Sequence, residues 1–133
     1  MEGMFSLYAS TVYAIGAMAV VLLVQVVIAD VVGIRNRHVP GTAPPETHGS
    51  TLFRVSRTIA NTNETIAVFL CGVLFCMLIG ASATYTAVSA WAYVCARVLY
   101  ALCYYFNIPM LRSICFGLSL FALAGLLLVG FLS

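Results

Sequence analysis

Residues 14–27 read AIGAMAVVLLVQVV, an apolar stretch interrupted only by Gly16 and Gln25. It sits inside a longer apolar run from Phe5 to about Val32. A run of that length crosses the hydrocarbon core of a bilayer, which takes about 20 residues. A secretory signal peptide would want a basic start. This start carries Glu2 and no Lys or Arg, so the run is read as a spanning helix.

The rest of the 133-residue chain repeats the theme. Only 8% of its residues are charged, against about 25% for a soluble domain. Mean hydropathy is +1.08. So few charges leave no surface to keep the chain dispersed in water. Residues 33–50 form the one real loop, with Arg35, Arg37, His38, Pro40, Gly41, Pro44, Pro45, Glu46, His48 and Gly49. Its prolines and glycines argue against a continuous helix. A second helix is expected over 51–79, capped by Ser50 or Thr51. Gly80-Ala81-Ser82 makes a tight uncharged turn, and a third helix follows over 84–106. Asn107-Ile108-Pro109 breaks the chain again, since the residue before a proline leaves the helical region. Pro109 suits the first turn of a fourth helix over 109–132. The expected fold is a single all-α, four-helix transmembrane bundle with up-down topology.

Charge placement predicts orientation. There is no Lys, and the arginines are 35, 37, 54, 57, 97 and 112. All lie in or near the first and third connections, which share one side of the membrane in a four-span chain. The positive-inside rule then places that face in the cytoplasm and both termini outside.

Ionisable groups at membrane depth are costly and usually face the bundle interior or mark a functional route. Arg57, Asn61 and Glu64 recur at i, i+4 and i+7 on one helical face, with Arg54 one turn earlier. They read either as an interhelical network or as a pocket for an anionic or zwitterionic ligand. Arginines there would grip carboxylates with two N–H groups, and Glu64 would bind an amine or fix an arginine. Arg97, Tyr100 and Tyr104 share a second face. The tyrosines also fit an interfacial aromatic belt, and Arg97 could snorkel toward the headgroups. Arg112 and Ser113 open the fourth helix. They read as an interfacial anchor, or as a guanidinium and a hydroxyl that favour a bound thiolate over its thiol. Gln25 is expected to hydrogen-bond between helices. Asp30 is expected to pair with Arg35 or Arg37, or to face an arginine of the site.

Other patterns are silent. Cys71, Cys76, Cys95, Cys103 and Cys115 have neither CxxC nor metal-like spacing, and His38 and His48 have no metal-ligand spacing. Asn63-Glu64-Thr65 is a glycosylation sequon on the wrong expected side of the membrane. Nothing suggests a phosphate loop or nucleic-acid binding.

Two stretches carry a family resemblance: FRVSRTIANTNET (53–65) and RVLYALCYYFNIPMLRS (97–113). The Arg-x-x-Arg…Asn-x-x-Glu pattern at Arg54, Arg57, Asn61 and Glu64, the Arg97/Tyr104 pair, and Pro109-x-x-Arg112 together resemble the MAPEG family, the membrane-associated proteins in eicosanoid and glutathione metabolism. Its small bacterial members are the most similar. The resemblance implies a homotrimer in a bacterial inner membrane, with glutathione held between neighbouring subunits near the cytoplasmic face. It implies that Arg57, Asn61, Glu64, Arg97, Tyr104 and Arg112 hold glutathione, with Arg112 nearest its sulfur and Ser113 in support. The implied activity is transfer of glutathione to, or peroxide reduction of, a lipophilic substrate. Three departures argue against an eicosanoid-specific activity, one being that the loop after the first helix is less basic than in some enzymatic members. Arg57-Thr58-Ile59 stands where the family often has Arg-Ala-His, and Tyr100 stands where some eicosanoid-forming members have histidine. A non-enzymatic scaffold or binding protein of the same fold is the alternative, and an oligomeric anion pore is a third reading.

Overall fold

The computed structural model describes residues 2–133. In chain order it holds α1 (Glu2–Leu7), α2 (Ala9–Arg35), α3 (Thr51–Ile79), α4 (Ala83–Tyr105) and α5 (Pro109–Phe131), with no strand among the described residues. The last four are each long and apolar enough to cross a membrane. The shorter pair has 23 residues each, which at 1.5 Å per residue gives about 35 Å, more than the roughly 30 Å hydrocarbon core.

Local chemistry sets the ends of these helices. Ser50 caps α3, its hydroxyl accepting from Phe53 N–H at 3.4 Å. Gly80 ends α3 in the left-handed region, at φ 74°. That conformation lets Ala81 N–H reach back to Cys76 O at 2.9 Å, the closing bond of a Schellman-type turn. The α4–α5 turn uses the same device with Asn107, at φ 56°. Ile108 N–H there reaches Cys103 O at 2.8 Å. Asparagine tolerates this region better than most residues, and Pro109 then starts α5 at a position that needs no N–H donor.

The first apolar run is interrupted, which the sequence does not announce. α1 ends at Leu7 and α2 starts at Ala9. Backbone hydrogen bonds still bracket Tyr8, from Tyr8 N–H to Met4 O and from Val12 N–H to Tyr8 O. The Tyr8 side chain is buried and donates its hydroxyl to Ala81 O. A tertiary hydrogen bond to the α3–α4 turn therefore fixes the interruption. Trp91 adds a second tie, its indole N–H donating to Ser10 O at 3.2 Å and Ser10 Oγ at 3.1 Å.

α4 is the most enclosed spanning helix and α2 the least. α5 packs most extensively on α4, and α3 touches α2, α4 and α5. The core runs through Met18, Phe69, Val73, Cys76, Tyr93 and Leu126. Phe69 and Tyr93 stack with ring centroids 4.6 Å apart. The Cys76 thiol donates to Leu126 O across the α3–α5 contact. Gly130 sits where a Cβ would collide with the Phe75 ring, so a side chain there would hold α3 and α5 apart. All five cysteines are free. Gln25 corrects an expectation. It is buried, yet neither its amide oxygen nor its amide nitrogen has a hydrogen-bond partner.

Candidate functional site

The polar face that α3 turns toward α4 is made of threonines. Thr58 Oγ1 donates to Arg54 O, Thr62 Oγ1 to Thr58 O, and Thr65 Oγ1 lies 2.8 Å from Tyr93 Oη. Each hydroxyl proton used on the helix's own carbonyls leaves oxygen lone pairs free to accept. Arg97 of α4 exploits this. Its guanidinium is fully buried and does not snorkel. Nη2 donates to Asn61 Oδ1 and to Thr62 Oγ1, each at 2.9 Å. The Arg97 guanidinium also lies over the Tyr100 ring at 4.5 Å. Both hydrogen-bond partners are neutral, and the link to a carboxylate is indirect: Asn61 Nδ2 donates to Glu64 Oε2 at 3.4 Å. Arg97 Nε and Nη1 are buried without a partner.

An aromatic ladder connects this centre to the start of α5. Tyr100 meets Tyr104 edge-on at 5.4 Å and Phe116 at 6.1 Å. The Arg112 guanidinium lies over the Tyr104 ring at 4.4 Å, within the reach of a cation–π attraction. Asn61, Tyr100, Arg112, Ser113 and Phe116 line a cavity of about 180 Å³. Arg112 Nη1 is shielded and also lacks a partner. Ser113 Oγ donates to Pro109 O at 3.2 Å, so its hydroxyl must rotate before it can donate to anything else.

The loop closes on the same ladder. Arg54 Nη1 donates to His48 O at 2.6 Å and Nη2 to Thr51 Oγ1 at 3.2 Å. The His48 ring then packs edge-on against Phe53 at 5.0 Å and stacks on Tyr104 at 6.1 Å. Arg54 thus pins the loop end, and reaches the other site candidates only through His48.

The residues singled out in the sequence are not all gathered. Asn61, Glu64, Arg97, Tyr100, Tyr104, Arg112 and Ser113 form one connected cluster through the contacts above. Asn61 is its buried member from α3, whereas Arg57 and Glu64 are exposed on the outer side of the single chain. Asp30 lies elsewhere, in a cavity shared with His38 and Ser56. Among the described residues no group of His, Cys, Asp or Glu is placed to hold a metal ion.

Thr62, His48 and Phe116 were not foreseen. Thr62 follows Asn61 in sequence, but nothing in an isolated Thr marks it as an acceptor for a buried guanidinium. Replacing Thr62 by valine keeps the shape and removes that acceptor. An orphaned buried donor costs about 1–3 kcal/mol. Thermal unfolding in detergent should therefore show a clearly lower Tm for Thr62→Val, and an unchanged Tm would remove this bond from the account.

No curated protein and no solved structure matches the chain. A model of the MAPEG family matches residues 10–132. The match takes in all four spanning helices and every residue of the cluster. This integral, multi-pass membrane protein therefore belongs to the MAPEG family.

Proposed function

We propose that the chain is a membrane-bound, glutathione-dependent transferase or peroxidase acting on a lipophilic electrophile or hydroperoxide. One observation carries this reading. Three guanidinium nitrogens, Arg97 Nε and Nη1 and Arg112 Nη1, are shielded and lack acceptors; Arg112 lines a cavity with Asn61, Tyr100 and Ser113, and Arg97 adjoins it through Asn61 and Tyr100. Buried donors of this kind are normally satisfied. A small anionic peptide such as glutathione brings two carboxylates that would satisfy them.

In this reading Arg54, Arg57, Asn61, Glu64, Arg97, Tyr100 and Tyr104 hold glutathione, with Glu64 taking its amine. Bound glutathione supplies a thiol whose thiolate form is the nucleophile. Arg112 lowers the cost of that negative charge, and the Ser113 hydroxyl, once turned from Pro109 O, adds a hydrogen bond. The Tyr104 ring under Arg112, itself stacked with the His48 ring, fixes where the Arg112 charge sits. Tyr100 and Phe116 keep water from the reacting centre.

The homotrimer is what membership of the family implies, and the exposed charges are compatible with it. Arg57 and Glu64 belong to the spanning helix α3 and are exposed on the single chain, where an ionisable group facing lipid would be costly. A neighbouring copy covers them in a homotrimer, and the glutathione site lies at that seam. Successive spans alternate in direction. The ties from Tyr8 to Ala81 and from Cys76 to Leu126 support this by pairing the start of α2 with the end of α3, and the late turns of α3 with those of α5. The arginine-bearing end faces the cytoplasm, both termini face outward, and the host is a bacterial inner membrane.

The test is turnover. Purified protein in lipid vesicles is mixed with reduced glutathione and either a lipophilic aryl halide or a lipid hydroperoxide, and loss of free thiol is followed. Enzyme-dependent loss supports the proposal. Saturable glutathione binding without turnover on either substrate would favour the second reading, a binding protein or scaffold of the same fold. The hydrogen bonds from Arg97 to α3 favour that second reading to one extent, because they tie α3 to α4 whether or not a ligand is present.

A further inference from the structure

A further cavity, of about 230 Å³, lies between α2 and α4. Val24 and Ile28 of α2 and Val98 and Leu102 of α4 form its apolar walls, together with Gln25 and Tyr105. None of these residues lines the arginine cavity. Tyr100 and Tyr104 precede Ala101 and Tyr105 by one position each on α4, which turns the two pairs about 100° apart around the helix.

The two polar residues of this cavity are unusual. Gln25 is only 2% exposed, and both ends of its amide lack a partner. The Tyr105 hydroxyl is shielded and lacks one too. In lipid there is no water to satisfy such groups, and leaving them unpaired is costly. A bond between the two would not settle the matter. An amide offers two N–H donors and a carbonyl with two lone pairs, and a phenol has one O–H. Even a direct pair leaves Gln25 with unmet donors and an unmet lone pair.

We infer that this cavity binds an uncharged, hydroxyl-bearing lipophile, whose hydroxyl bonds to Gln25 and Tyr105 while its hydrocarbon tail stays in the bilayer. The absence of a charged side chain from the lining disfavours an ionised head group, since a charge there would meet no counter-charge. A hydroxyl both donates and accepts, as the amide and phenol together require. The volume is below the roughly 300–1,000 Å³ of sites that enclose a whole drug-sized ligand. It suits a head group and the first part of a chain. Val24, Val98 and Leu102 are also exposed at the outer surface, so the tail has apolar surface to lie against. The polar atoms are covered in this structure, so binding requires both the Gln25 amide and the Tyr105 hydroxyl to turn toward the cavity. This inference does not depend on glutathione.

The test uses the full-length protein in lipid nanodiscs and a long-chain primary alcohol carrying a diazirine near its hydroxyl end. Its methyl ether, which cannot donate, is the control. After irradiation, labelled peptides are identified by mass spectrometry. The alcohol is expected to label α2 and α4 around residues 20–28 and 98–105, in competition with unlabelled alcohol. Labelling by the ether is expected to be roughly tenfold lower, the equivalent of about 1.4 kcal/mol. Gln25→Leu should bring labelling by the alcohol down to the level of the ether. Tyr105→Phe, which removes one oxygen, should reduce it while preserving the fold, and it carries the test alone if Gln25→Leu does not fold. Equal labelling by alcohol and ether, no competition, or full labelling of a folded Tyr105→Phe protein would each overturn the inference.

Discussion

Arg97→Lys protein should fold, retain its positive charge, and bind reduced glutathione at least about tenfold more weakly than wild type, a loss of 1.4 kcal/mol or more. The reason is shape. The Arg97 guanidinium spends Nη2 on Asn61 and Thr62 and lies over the Tyr100 ring. Its Nε and Nη1 are buried without a partner, and in the proposed complex they take a carboxylate. A lysine ammonium is a compact point charge. It can replace the bonds to α3 or reach the ligand, but it has no planar fork with which to do both. Arg97→Ala should do more damage, because it opens a void in the core and orphans Asn61. Large-to-small changes at buried sites cost about 2–5 kcal/mol. The pair of variants separates the two roles. If Arg97→Lys binds glutathione as wild type does while Arg97→Ala unfolds, Arg97 is a structural strut only.

Arg112→Ala is expected to leave the fold nearly intact and to reduce turnover on the order of 10²-fold, the scale seen when one preorganised donor to a developing or bound anion is removed. Arg112 is half-buried in the first turn of α5, and its guanidinium lies over the Tyr104 ring at the edge of the cavity. Few core contacts are lost with it, so the Tm should move little. If Arg112 sets the thiolate population, the thiolate ultraviolet absorbance of the glutathione complex should fall in the variant at neutral pH and return as pH is raised. The sign follows from the charge: removing a cation raises the pKa of the bound thiol, so more alkaline solution is needed to ionise it. A variant with reduced turnover but an unchanged thiolate signal would assign Arg112 to substrate positioning instead.

Much of the architecture was legible because a bilayer asks a simple question of a sequence. The apolar run around residues 14–27, the stops at Gly80 and Asn107-Ile108-Pro109, and the lone polar loop answer it directly. The interruption at Tyr8 was not legible, because a hydrogen bond to Ala81, distant in sequence, produces it. The candidate site was legible only as residue types and helical faces. Periodicity places Asn61 beside Arg57 and Glu64, but it does not say how far α3 is rotated against α4. That rotation carries Asn61 and Thr62 inward to Arg97 and leaves Arg57 and Glu64 outside. It also makes Thr62 an acceptor and leaves Gln25 unpaired. His48 was invisible for a related reason. Its place on Tyr104 comes from Arg54 holding its carbonyl, a contact that no local spacing encodes.

The most direct measurement is a calorimetric titration of reduced glutathione into the detergent-purified protein, with Arg112→Ala protein alongside and the fold of both verified by circular dichroism. The account predicts saturable binding to wild type and markedly weaker binding to the variant. No heat of binding to folded wild-type protein, at concentrations well above those of a typical enzyme KM of about 1 μM–1 mM, would contradict it and leave the unpaired guanidinium groups of Arg97 and Arg112 to another ligand.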